Sequence, residues 1–286
     1  MAIDLARIER CAPAPVIHRY AAEDTILYAL SLGLGDDPAD TRQLPFVYEA
    51  DLRALPTMAL VLGDAGFWLQ NPEAGIDWPR VLYGQVSVDW HDTVPVQGEV
   101  VGTTHVDGVV DRGQGRSALL HLRREVTHQA NGQWLCTVKS TYVCRSAGVA
   151  AGPAKPRGPV ESTPSRPPDV SVLRRSLPQA ALLYRLTGDR NPLHVDPEVA
   201  RSAGFERPIL HGLCSFGIAG LALLRALCAD QVHRARHMSA RFTAPVYPGE
   251  TLLTEIWRDA VGCAEFRCSV PERGRVVLSN GRFEYA

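Results

Sequence analysis

Apolar and polar positions along this chain fall into two textures. Six segments alternate or are rich in β-branched residues: Glu99–Val110, Ser117–Gln129 and Trp134–Arg145, then Thr251–Ala260, Ala264–Val270 and Val276–Tyr285. A period of two predicts strands with one buried face. The breaks carry turn residues, Asp111-Arg112-Gly113-Gln114-Gly115, Asn131-Gly132 and Glu272-Arg273-Gly274; Asn-Gly between alternating runs is a strong hairpin signal. Helical signals are few. Ala22–Leu32 has apolar residues at Ala22, Ile26, Leu27 and Leu30, Gln179–Leu186 and Pro197–Ala203 predict short helices, and Gly212–Ala229 is long and almost wholly apolar. A helix apolar on nearly every face is one that protein surrounds. An antiparallel sheet curved around it satisfies this, whereas a parallel sheet would need strands alternating with helices. The expected class is α+β, an antiparallel sheet wrapped around a long central helix.

Residues 145–170 interrupt the pattern with Pro153, Pro156, Pro159, Pro164, Pro167 and Pro168 and almost no large apolar residue. Such a stretch cannot pack a core and reads as a linker between a 1–144 module and a 171–286 module. The modules share a plan. Leu27-Tyr28-Ala29-Leu30 before Gly35-Asp36-Asp37-Pro38 resembles Leu183-Tyr184-Arg185-Leu186 before Gly188-Asp189-Arg190-Asn191-Pro192. Later, Pro95-Val96-Gln97-Gly98-Glu99 resembles Pro245-Val246-Tyr247-Pro248-Gly249-Glu250. Two matches in the same order point to duplication, and two such modules side by side would share one continuous sheet.

Composition narrows the function. The chain has 286 residues, enough for one large domain or two fused small ones. Lys and Arg total 30 against 31 Asp and Glu, a net charge of −1, so there is no basic excess for nucleic acid. The longest apolar stretch, Gly212–Leu224, is too short to cross a bilayer. Asp4, Arg7, Glu9 and Arg10 do not form a signal peptide. The 7 cysteines contain no CxxC pair; no disulfide framework or metal site is expected, and the compartment expected is the cytoplasm.

Candidate chemistry concentrates in Tyr184–His211, which holds Asp189, Asn191, His194, Asp196 and His211 just before the apolar helix. Pro192 forbids a regular helix there, so the segment is expected to fold back and bring Asp189 to His194. A carboxylate and an imidazole sharing a water can activate it and return its proton to a neighbouring carbon. Asn191 can orient that water or the carboxylate, although Gly-Asp-x-Asn-Pro also suits simple loop capping. Gly212 falls at the helix N-terminus, where free N–H groups and the macrodipole favour a carbonyl oxygen and no Cβ obstructs approach; tight packing explains that glycine equally well. His105, His121, His128, His233 and His237 have no such partners and are assigned to surface or packing roles.

Tyr184-x-Leu-Thr-Gly-Asp-x-Asn-Pro-Leu-His-x-Asp196, followed by Pro208-Ile209-Leu210-His211-Gly212, resembles the hydratase 2 motif of the MaoC-like (R)-specific enoyl-CoA hydratases. The resemblance extends to Asp24–Leu30, Phe46-Val47-Tyr48-Glu49, Leu55-Pro56-Thr57 and Arg241–Leu252. It implies a double hotdog fold, a trans-2-enoyl-CoA substrate and a (3R)-3-hydroxyacyl-CoA product, with Asp189 and His194 as the catalytic pair, Asn191 holding the water and the Gly212 N–H on the thioester oxygen. Coenzyme A arrives with the substrate and no separate cofactor is implied. A homodimer is implied by the family. Arg207 and Arg241 are candidates for the CoA phosphates. The N-terminal module has Asp36 at the matching place but Thr41 where the histidine would fall, which fits a non-catalytic half shaping the acyl pocket. Val81-Leu82-Tyr83-Gly84 stands where members often read Val-Leu-His-Gly, and a bulky acyl group, even a steroid side chain, stays within range. Two other readings are a hotdog acyl-CoA thioesterase and a non-catalytic acyl-CoA-binding module.

Overall fold

A computed structural model describes residues 3–78, 81–111, 117–144 and 164–286. The first half runs α1 (Leu5–Arg10), β1 (Val16–Tyr20), α2 (Ala22–Ser31), α3 (Leu44–Val47), β2 (Val81–Trp90), β3 (Gly98–Asp111), β4 (Ala118–His128) and β5 (Trp134–Cys144). The second runs β6 (Val170–Arg175), α4 (Ala180–Tyr184), α5 (Pro197–Ser202), α6 (Gly212–Cys228), β7 (Ala235–Phe242), β8 (Thr251–Arg258), β9 (Cys263–Val270) and β10 (Arg275–Tyr285). The strands form one 10-stranded sheet in the order β1-β3-β4-β5-β2-β7-β10-β9-β8-β6, and each neighbouring pair is antiparallel. The order is a palindrome: β1 to β5 of the first half match β6 to β10 of the second, and the halves meet where β2 lies against β7. At that seam Gln85 pairs with Arg241, Ser87 with Ser239 and Asp89 with His237.

Alternation sets the faces. On β2 the side chains of Val86, Val88 and Trp90 are buried while Ser87 and Asp89 between them are not, as the two-residue strand period dictates. Against this inner face lies α6, buried without interruption from Cys214 to Leu224. Each Leu or Ile buried there contributes roughly 1.5–3 kcal/mol of transfer free energy. No helix among the described residues is long and apolar enough to cross a membrane.

The first half departs from the expectation of a central helix. In the place of α6 it has only a 3₁₀ turn, Pro56–Leu60, within a run buried from Ala54 to Leu62. Pro56 starts the turn and Gly63, at φ +61°, ends it, leaving too few residues for a long helix. The backbone at Gly63 presses on β3 so closely that a Cβ at Gly102 would stand 1.9 Å from the Gly63 oxygen. The Arg124 guanidinium of β4 donates to the Leu60 carbonyl and to Asp64, bracing this segment from the sheet.

The six predicted strands are present, but β1, β2, β6 and β7 are not evident in the sequence pattern. The Pro-rich break ends earlier than expected, since Val170 already pairs with Ile256. Its residues 145–163, and 112–115 of the Asp111–Gly115 turn, lie outside the described residues. The cysteines are unpaired, and all but Cys11 are buried. Burial pushes the Cys136 and Cys268 thiols up to about 12, so neither is a nucleophile at neutral pH.

Candidate active site

Just past α4 the chain reverses at Gly188, whose φ of +139° is open to glycine alone. The Asn191 N–H then donates to Asp189 Oδ1 at 3.1 Å, and the Leu193 N–H to Asn191 Oδ1 at 3.0 Å. Pro192 opens a single 3₁₀ turn that ends at His194. Two consecutive Asx turns therefore fold Asp189 back over His194, where a regular helix would have separated them. Asn191 makes the capping contact that was the alternative to a role at the water, its Oδ1 accepting from the Leu193 N–H. Asp196 caps α5 through the Glu198 and Val199 N–H groups and takes no further part.

His194 is 8% exposed. Its Nδ1 lies 2.8 Å from the Ile209 carbonyl. A carbonyl only accepts, so Nδ1 carries the hydrogen and Nε2 a lone pair. Burial lowers its pKa and the Asp189 carboxylate pulls the other way. The neutral imidazole is therefore the resting form.

The structure adds His211, which the sequence placed in the polar cluster without a role. It is 1% exposed, precedes the first residue of α6, and stacks on His194 with ring centroids 3.7 Å apart and planes at 29°. Its Nε2 is 3.1 Å from the Asp189 carbonyl, and its buried Nδ1 has no partner. Burial, reinforced by charge on His194, pushes its pKa down to about 2. Ligand-type atoms of Asp189, His194 and His211 lie within 4.8 Å of one another. Each imidazole faces a backbone carbonyl with one nitrogen, which leaves His194 Nε2 and His211 Nδ1 with the lone pairs. Its adjacency to Gly212 was the one sequence signal for His211.

Gly212 begins α6 as anticipated. A Cβ there would stand 3.1 Å from Cε1 of Phe242, so the absent side chain makes room for that ring. Phe242 meets Tyr83 edge-on at 5.6 Å, and Tyr83 meets Tyr142 at 4.5 Å. Through this aromatic group the first half reaches the second half's site. The structure does not bring Arg241 to the pair. It occupies the strand face opposite Phe242, with Gln85 as its partner at 3.4 Å. Arg207 lies 4.8 Å over the Tyr247 ring, in the exposed loop before His211. At the corresponding place in the first half, Asp36 accepts from Gln43 at 3.0 Å and faces Arg174 at 3.5 Å, a clamp with no imidazole.

Two hotdog-like halves joined edge to edge in one sheet, with an acid–imidazole pair beside the start of α6, define a double hotdog protein. Sequence comparison agrees. Residues 18–146 match the MFE-2 hydratase 2 N-terminal domain, and residues 158–277 the MaoC like domain. The 3-hydroxyacyl-thioester dehydratase Y of Mycobacterium tuberculosis is 36% identical over 95% of this chain and 94% of its own length. The peroxisomal enoyl-CoA hydratase 2 of Arabidopsis thaliana is 34% identical over 92% of this chain and 89% of its own. Among solved structures, a MaoC-like dehydratase from Phytophthora capsici superposes with a TM-score of 0.85 at 28% identity, covering 99% of this chain and 98% of that one. The chain belongs to the MaoC-like hydratase 2 family.

Proposed function

We propose that the protein adds water to trans-2-enoyl-CoA thioesters, giving (3R)-3-hydroxyacyl-CoA, and runs in reverse as a dehydratase. The observation that carries this reading is the convergence of the Asp189 carboxylate and the His194 imidazole beside the start of α6. Both are acceptors in the resting state, so one water can donate one hydrogen to each and point a lone pair at C3. The Asn191 amide supplies a donor to the same water.

As the oxygen bonds to C3, the C2=C3 electron pair moves to the thioester oxygen. The Gly212 N–H, at the positive end of α6, receives that charge; one such donor is worth roughly 3–4 kcal/mol. The water's proton passes to the Asp189–His194 pair and from there to C2. One O–H bond breaks, C–O and C–H bonds form, and the pair ends as it began. Because the same pair handles both water and proton, hydroxyl and hydrogen arrive on one face, which fits a single product stereoisomer. The chemistry calls for no cofactor apart from the coenzyme A carried by the substrate.

In this reading the first half is non-catalytic and walls the acyl group through Tyr83 and Tyr142. Arg207 is a rim contact for the CoA phosphates. Arg241 reaches them only from the outer face. We also take the protein to work in the cytoplasm as a homodimer, which cell fractionation and sedimentation check. The deciding experiment follows the loss of enoyl absorbance with crotonyl-CoA, a long-chain enoyl-CoA and a polycyclic one. Turnover of any supports hydration, and failure of all three overturns it. Free-thiol release from a saturated acyl-CoA would instead indicate thioester hydrolysis.

A further inference from the structure

We propose that His211 is a positioning residue for this chemistry, a neutral imidazole that fixes Asp189 and His194 relative to each other. The inference rests on the hydration reading. Three contacts carry it. Its Nε2–H donates to the Asp189 carbonyl at 3.1 Å, which together with the Asn191 N–H on Oδ1 pins that residue from both backbone and side chain. Its ring covers the His194 ring at 3.7 Å, which sets the plane in which His194 Nε2 points. As the residue before Gly212, it ties this pair to the amide proposed for the thioester oxygen.

The chemistry of the ring suits the role. Because the Asp189 carbonyl accepts, the hydrogen of His211 sits on Nε2 and its Nδ1 keeps a lone pair, buried and without a partner. His194 carries the opposite tautomer, fixed by Ile209. His211 does not compete for the proton that His194 takes. Burial keeps His211 neutral, and any charge on His194, with Arg185 nearby, acts in the same direction. The titratable groups around His194 are thus Asp189 on the loop and His211 at the helix cap. A misplacement of about 1 Å in such a constellation costs on the order of 10²-fold in rate.

The test uses the full-length protein and the variants His211→Ala, His211→Gln and His211→Phe. In enoyl-CoA turnover, His211→Ala is expected to lower kcat about 10–100-fold, with KM moving less than about 3-fold. The acid limb of kcat/KM should rise towards the ordinary histidine range as solvent reaches His194. His211→Gln restores a donor to the Asp189 carbonyl and should recover a large part of kcat. His211→Phe keeps the stack and loses the donor, so it should fall between. The ring nitrogens of His194 are followed in parallel by ¹⁵N NMR. Loss of the fixed Nδ1–H tautomer in His211→Ala supports the role even if no enoyl-CoA is turned over, which separates this inference from the hydration reading. Folded His211→Ala with normal kcat, an unmoved acid limb and an unchanged His194 tautomer overturns it.

Discussion

The rings of Tyr28 and Tyr184 lie 6.0 Å apart, tilted by 54°, with no exposed surface on either. They occupy matching positions of the internal repeat, so the duplicated helices α2 and α4 meet through the same residue. Among the described residues neither hydroxyl has a hydrogen-bond partner of good geometry, although Thr57 and the other tyrosine lie near that of Tyr28. The stabilising element is therefore the ring rather than the hydroxyl. Tyr28→Phe should leave stability within about 1 kcal/mol of wild type or raise it, since an unsatisfied polar atom is removed. Tyr28→Ala should cost about 3–5 kcal/mol. Urea unfolding of the two variants checks this, and a large loss in the Phe variant would contradict it.

Asp189→Asn and His194→Gln keep the size of each side chain and remove its capacity to take a proton. Each is expected to lower kcat by at least about 10²-fold, with the circular dichroism spectrum unchanged. The double variant should lose little more than either single one, because the two groups act on one water. Steady-state rates with one enoyl-CoA decide the matter.

Acid should weaken the fold through its buried imidazoles. The pKa of His211 is pushed down to about 2 and that of His194 is also lowered, both from an ordinary value near 6.5. The unfolded chain then binds more protons than the native one over that interval. Stability is complete above pH 6.5 and falls as pH drops below that value. Urea titrations at stepped pH measure the slope. His211→Gln should make it shallower.

The close approach of Gly63 to Gly102 gives a sharp test of the helix-free half. The clash is with backbone, which cannot swing aside as a side chain would. Gly102→Ala should destabilise by roughly 1–3 kcal/mol, whereas Gly132→Ala, whose Cβ would meet nothing within 4 Å, should cost mainly the strain of its φ of +69°. Thermal unfolding of both variants provides the comparison.

Much of this was legible in the chain. Strands with clean alternation, such as β4 and β9, announced themselves, and so did α6, because no polar face disguises it. The edge strands β1 and β6 did not, since residues such as Arg19 and Arg174 on them read as loop. β7 was hidden by Arg236, His237, Ser239 and Arg241, which face outward. The meeting of Asp189 and His194 was readable because Gly188 and Pro192 leave the backbone few alternatives. His211 was not, for its role comes from a stack across a loop that spacing cannot reveal. The placement of Arg241 was a matter of strand phase, fixed only once β7 was seen to put Phe242 inward.

A perfect duplicate would have a core of equal depth on both sides of the seam. This molecule does not, for one side is filled by α6 and the other by a turn laid flat on the sheet. In the proposed reading the half filled by α6 carries the chemistry, and the other half, held by the backbone contact of Gly63 with Gly102, supplies a fixed wall for the acyl group.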